Sequence, residues 1–159
     1  MMSDLEIWRP IAGYEGRYEV SSHGQVRSLR RKITQSRCDG ISSERYVPAR
    51  VLKQARAGAD GRYRCVTLFK DGKSRNLVVH VLVCAAFNGA RPYPKAEVCH
   101  RDDDAENSHY SNLYWGNRQD QRRDQILNGF ARLSGLSRPQ VDELLANLRE
   151  ANPFLPPCG

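Results

Sequence analysis

Hydrophobic positions change period several times along this chain, and each change marks an element. Tyr18 and Val20 alternate with polar neighbours, Ser22-His23-Gly24 supplies turn chemistry, and Val26 resumes the alternation. That pattern predicts a short β-hairpin, with Trp8, Ile11 and Tyr14 available to cover one face. Residues 33–48 are polar and carry no period, so a loop is expected there. Val51-Leu52-Lys53 suits a short strand, broken by the Gly-containing stretch 57–61. Two β-rich runs, 63–69 and 75–79, flank Asp71-Gly72, the strongest short-range hairpin signal a sequence offers.

From residue 80 to 88 the period becomes helical. Leu82, Val83, Ala86 and Phe87 share one face, and Gly89 sits where a C-terminal cap belongs. His80 is placed to cap or pack that helix. Beyond Pro92 and Pro94, Glu97-Val98-Cys99 is extended, a polar loop fills 101–111, and Asn112-Leu113-Tyr114-Trp115 forms another short strand. Residues 118–127 predict a highly charged helix. Strand, loop, strand, helix without an internal repeat is an α+β arrangement of small antiparallel pieces. In the tail, Ala131, Gly135 and Val141 have the spacing of a helix-turn-helix, with Ser137 as N-cap and Pro139 in the first turn. A plain helical hairpin fits the same spacing, and Asp142 and Glu143 are unwelcome on a recognition helix.

Charge sharpens this outline. The chain has 159 residues and a net charge of +7. Residues 1–96 hold 18 Lys and Arg against 8 Asp and Glu, whereas residues 97–159 hold 7 against 10. A basic front and an acidic back suit a protein that lays one part on nucleic acid; ordinary solubilising surface charge is the competing account. Arg27, Arg30, Arg31 and Lys32 cluster on or just past the first hairpin, and Arg118 and Arg122 lie on the charged helix; all six are candidate DNA contacts. No apolar run approaches the roughly 20 residues that span a bilayer, and no signal pattern opens the chain, so a soluble intracellular protein is expected. The five cysteines include no Cys-x-x-Cys pair, which disfavours a zinc knuckle; Cys65 and Cys84 fit a core. The acidic run 102–106 fails as a calcium loop, because Asn107 stands where Gly is required and Leu113 where Glu belongs.

The chemistry concentrates in residues 97–129. Phosphodiester hydrolysis needs an activated water, a group that orients the base, and a cation on the phosphate oxygens. A His ending one short strand, an Asn opening the next, and a polar residue on the following helix can converge on one point. Val98, His100, Asp102, Asn107, Asn112, Leu113 and Trp115 follow in a spacing that resembles the HNH endonucleases of phages and mobile introns. The helix-like stretch near 79–89 resembles the one that precedes this site in the family. Residues 8–28 resemble the short DNA-associated module often found in front of such nucleases.

The resemblance implies a ββα-metal nuclease core at 56–129, a basic N-terminal β-hairpin module at 1–55 and a small helical tail at 130–159. It implies a DNA-cleaving enzyme, phage or mobile-element encoded and cytoplasmic in a prokaryotic host. His100 would be the general base and Asn112 would hold the loop or the imidazole. The metal-ligand positions fall on Cys99 and Gln121, with Asp102 as a substitute ligand for one divalent cation, magnesium first and manganese or zinc after it. Cys99, Gln121 and Asp103 depart from the common family residues, Asp, Asn or His, and Gly. A non-catalytic DNA-binding protein on a degenerate scaffold is the rival class, and a nicking partner in a packaging complex a third.

Overall fold

A computed structural model describes residues 5–151 except 37, 39, 41 and 59. Cys158 and the rest of 152–159 lie outside the described residues. The chain begins with three antiparallel strands, β1 (Trp8–Pro10), β2 (Tyr18–Ser21) and β3 (Val26–Ser28). The expected hairpin is therefore present, turned at Gly24 with φ 85°. A Cβ there would meet that of Ser108 at 2.8 Å, so glycine also permits the turn to dock on the 101–109 loop.

Residues 33–48 are not the expected loop. They lie largely in an antiparallel ribbon, β4 (Arg31–Ser36) against β5 (Ser42–Val47). Its residues are mostly exposed, so the period-2 apolar signal of a half-buried strand is missing. The ribbon is cross-braced instead by Lys32 and Glu44 at 2.6 Å. Strand β6 (Arg50–Val51) returns to pair with β3 and completes a four-stranded sheet in the order β1-β2-β3-β6.

A three-stranded antiparallel sheet follows: β7 (Ala55–Ala57), β8 (Tyr63–Lys70) and β9 (Lys73–Val78). Its β8–β9 turn is the predicted Asp71-Gly72 pair, both with positive φ, 51° and 74°. These signs match the primed turns that follow strand twist. Helix α1 (Val79–Phe87) leads to a second hairpin, β10 (Glu97–His100) against β11 (Leu113–Gly116), with a 3-10 turn at Tyr110–Asn112 just before β11. Ile11, Val20 and Val26 from the N-terminal strands join Val66, Leu68, Val83, Val98 and Leu113 in one buried cluster. Cys84 is buried with them, and Cys65 is buried as well, as their apolar contexts predict.

Helix α2 (Arg118–Ser134) runs seven residues past the predicted 118–127. It opens with a capping box between Asn117 and Asp120, continues through Gly129, and stops at Gly135 in the left-handed region, φ 73°. Helix α3 (Arg138–Ala151) packs on α2, with Ala131 and Val141 buried. Among the described residues no helix is long and apolar enough to cross a membrane.

Candidate active site

The β10–β11 hairpin positions the site through its pleat. Successive side chains point to opposite faces, so His100 and Cys99 cannot share one. Val98, His100 and Leu113 face the core and α1; Cys99, Tyr114 and Gly116 face α2.

On the α1 face, the His100 ring meets the ring of His80 edge-on, with centroids 5.0 Å apart and planes at 72°. Nε2 of His100 is buried and has no hydrogen-bond partner, whereas Nδ1, likewise without a protein partner, is not enclosed. Burial holds the His100 pKa below its ordinary value, against the pull of the Asp102, Asp104 and Asp103 carboxylates. The imidazole is therefore neutral at pH 7 and can accept a proton.

Asn112 sits immediately before β11 and ties down the loop that follows His100. Its Oδ1 accepts from the Asp102 N–H at 3.1 Å, and its Nδ2 donates to Asp102 Oδ1 at 2.8 Å and to the Asn107 carbonyl at 3.0 Å. Asn107 Nδ2 donates to Asp102 Oδ2 at 2.7 Å. Burial pushes the Asp102 pKa up, but these bonds and the Asp104 N–H outweigh it and hold the carboxyl below its ordinary value. Of the two tasks open to Asn112, the structure gives it the loop. Asp103 adopts φ 63°, which explains why the family favours Gly there and why Asp, one of the few side chains that tolerate the left-handed region, can replace it.

The α2 face is closed. Cys99 is fully buried, and burial pushes its thiol pKa up to about 11, so the sulfur is protonated. A Cβ on Gly116 would sit 2.9 Å from the Cys99 sulfur and 3.1 Å from an Asp120 oxygen, which shows how little room is left. Tyr114 donates its hydroxyl to Asp124, and Asp124 accepts from Arg138 at 2.8 Å. Arg138 also donates to the Asn128 side chain at 2.8 Å, to the Arg101 carbonyl at 3.0 Å and to Asp142 at 3.1 Å. Gln121 is half-buried on α2, and Asp102 is held in the loop after β10. Asp102 is thus tied into the loop, while Cys99 lies on the face that α2, the helix carrying Gln121, covers. Among the described residues no three His, Cys, Asp or Glu side chains gather where they could hold a metal ion.

The N-terminal basic cluster is largely engaged within the protein. Arg27 donates to Glu19 at 2.8 and 2.6 Å and lies over the Trp8 ring; Lys32 pairs with Glu44. Arg31 lies over Tyr18, and Arg30 over Tyr46. Arg118 and Arg122 are exposed on α2 and form no ion pair among the described residues. Sequence reasoning did not foresee the His80–His100 contact or the Tyr114–Asp124–Arg138 chain. The available signal was Asp124 and Asn128, polar residues four apart on the side of α2 that is buried.

Residues 6–69 match the family described as NUMOD4 motif, and residues 77–123 match the family described as HNH endonuclease. The chain thus carries an HNH endonuclease domain behind an N-terminal NUMOD4 motif. The DNA endonuclease I-HmuI of Bacillus phage SP01 is 30% identical over 128 residues, covering 80% of this chain and 62% of the relative. A solved structure of that protein, described as "DNA binding and cleavage by the HNH homing endonuclease I-HmuI", matches with a TM-score of 0.56 and 31% identity over 77% of this chain. The present chain spans about three fifths of these relatives, 62% of the one and 59% of the other. HNH endonucleases generally depend on a divalent metal. Of the three expected donors, the neutral buried thiol of Cys99 does not fit a hard cation such as magnesium, whereas the Gln121 amide and the Asp102 carboxylate carry hard oxygens.

Proposed function

We propose that the protein is a DNA endonuclease that hydrolyses a phosphodiester bond, nicking or cutting, with His100 as the general base. The observation that carries this is the neutral His100 imidazole at the end of β10, with Nε2 enclosed and Nδ1 open, inside the segment that matches the HNH family. Nδ1 takes a proton from water, the water oxygen bonds to phosphorus, and the departing sugar oxygen is protonated from solvent as its bond to phosphorus breaks. Asn112 keeps the 101–109 loop in the shape that places His100 at its edge. Arg30, Arg118 and Arg122, free of carboxylate partners among the described residues, contact phosphates; Arg27, Arg31 and Lys32 contribute less, because Glu19, Tyr18 and Glu44 already engage them. Residues 1–55 serve DNA contact, 56–129 the chemistry, and the helical tail from 130 buttresses the strand end.

Magnesium selects hard oxygen donors, and the buried, neutral Cys99 thiol does not suit it, so the chemistry assigned here to the chain's own residues is that of His100. The mismatch supports a second reading, a DNA-binding protein on an HNH scaffold that does not cut. A plasmid nicking assay across magnesium, manganese and zinc separates the two. Nicking by the wild type that falls on the order of 10²- to 10⁴-fold in His100→Ala supports the enzyme. Retarded DNA with no nicking in any metal supports the non-cutting protein.

A further inference from the structure

We infer that His80 is a positioning residue for His100: its ring packs edge-on with the His100 imidazole and holds it in one orientation, so that the proton stays on the buried Nε2 and Nδ1 is presented to water. This rests on His100 being the base. His80 is 8% exposed in the first turn of α1, where the N-cap is Val78 and no side chain caps the helix. Its ring is held between two others, Tyr63 at 4.9 Å and His100 at 5.0 Å. The buried Nε2 of His100 has no oxygen or nitrogen partner. A ring N–H without such a partner can still be accommodated against the face of an aromatic ring, and two imidazoles at 72° pack edge to face, the kind of arrangement that allows it. That face serves only while His80 is uncharged. Burial, and then the charge of His100, push its pKa down to about 4, so it stays uncharged at neutral pH. The resulting tautomer leaves the Nδ1 lone pair for the water proton. A ring free to rotate would spend part of its time with the wrong nitrogen outward.

The test compares His80→Phe, which keeps an aromatic face, with His80→Leu, which keeps bulk without one; should the Leu protein unfold, His80→Gln takes its place. In plasmid nicking, His80→Leu should lower kcat on the order of 10- to 100-fold with KM unchanged, as expected when a reacting group is misplaced, while His80→Phe stays within a few-fold of wild type. Long-range proton–nitrogen NMR on the DNA-free protein should show His100 as a single Nε2–H tautomer in the wild type and His80→Phe, and as a mixture in His80→Leu. Equal losses in the Phe and Leu proteins that track their melting temperatures would reduce His80 to packing and overturn the inference. So would an unaltered kcat and a single tautomer in the Leu protein. If the wild type nicks no DNA while the tautomer still depends on residue 80, the positioning role stands and the nuclease reading falls.

Discussion

The two faces of the β10–β11 hairpin differ more than any other neighbouring parts of the molecule. One face presents His100 beside His80, with a ring nitrogen that makes no protein bond. The other carries Cys99 and Tyr114 into a closed set of contacts that ends on Arg138 of α3. Residues 99 and 100 are adjacent in sequence, yet the pleat sends them into unlike surroundings. A change of residue type at 99 can therefore alter the α2 face and leave the geometry at 100 intact. The proposed base at 100 and an altered residue at 99 are compatible within one hairpin, because they are packed by different helices.

Breaking the α2 face should have the largest effect on stability. Arg138 is the cation of that face: its side chain is 21% exposed and that of its partner Asp124 is 5% exposed. Its pKa is raised because hydrogen bonds and charges from Asp124 and Asp142 outweigh burial. Arg138→Ala would leave Asp124 buried with the Tyr114 hydroxyl as its remaining partner and would remove a donor from the Arg101 carbonyl. Breaking a buried pair costs about 3–5 kcal/mol, and the partial exposure of Arg138 places the expected loss near the low end, about 3 kcal/mol by denaturant titration. A loss under about 1 kcal/mol would mean that the chain of contacts does not hold α3 in place. Since Arg101 follows His100 directly, DNA cleavage should fall as well.

These faces were unequally legible in the sequence. Asp71-Gly72 was readable because turn chemistry is local, and so was the strand–loop–strand order that carries His100 and Asn112. The β4–β5 ribbon was not, since strands exposed on both sides have no apolar period to detect. The helix read over 118–127 continues to Ser134, where Asn128 and Ala131 are buried. Arg138 reaches the Arg101 carbonyl 37 positions back, and His80 reaches His100 across a helix and a link. Contacts of that kind depend on how elements pack, and no local pattern encodes them.

The α1 face should announce itself through pH. An unfolded His80 binds its proton near 6.5 and the folded one near 4, so between these values the unfolded chain holds more protons. Stability is then fully present above pH 6.5 and is lost as pH falls towards 4. His100, also held low, adds in the same direction, while the carboxylates of Asp102, Asp103 and Asp104 oppose its part. From pH 6.5 to 5 the loss from His80 is about 1.5 kcal/mol, a little under the full 1.36 kcal/mol per unit because the unfolded imidazole is half protonated at the start. Urea midpoints measured across that range should slope downward in the wild type and less steeply in His80→Phe. Equal slopes would show that His80 titrates in the folded protein as it does in the unfolded chain.

The smallest expected effect is the most informative about the metal. Cys99 is the ligand position that the family resemblance implied, but its thiol is protonated, enclosed, and turned away from His100 towards Gly116 and α2. If it is packing rather than ligand, Cys99→Ala removes one buried atom and little else. The cost should be about 1 kcal/mol, the scale for losing a small buried group with partial collapse around it. Nicking rate and the order of preference among magnesium, manganese and zinc should both be unchanged. A ligand behaves otherwise: removing it weakens metal affinity far more than stability, and removing a soft one shifts preference towards the harder ion. A Cys99→Ala protein that folds normally but loses metal-supported nicking would return the sulfur to the metal site. The closed α2 face would then have to open when the ion binds.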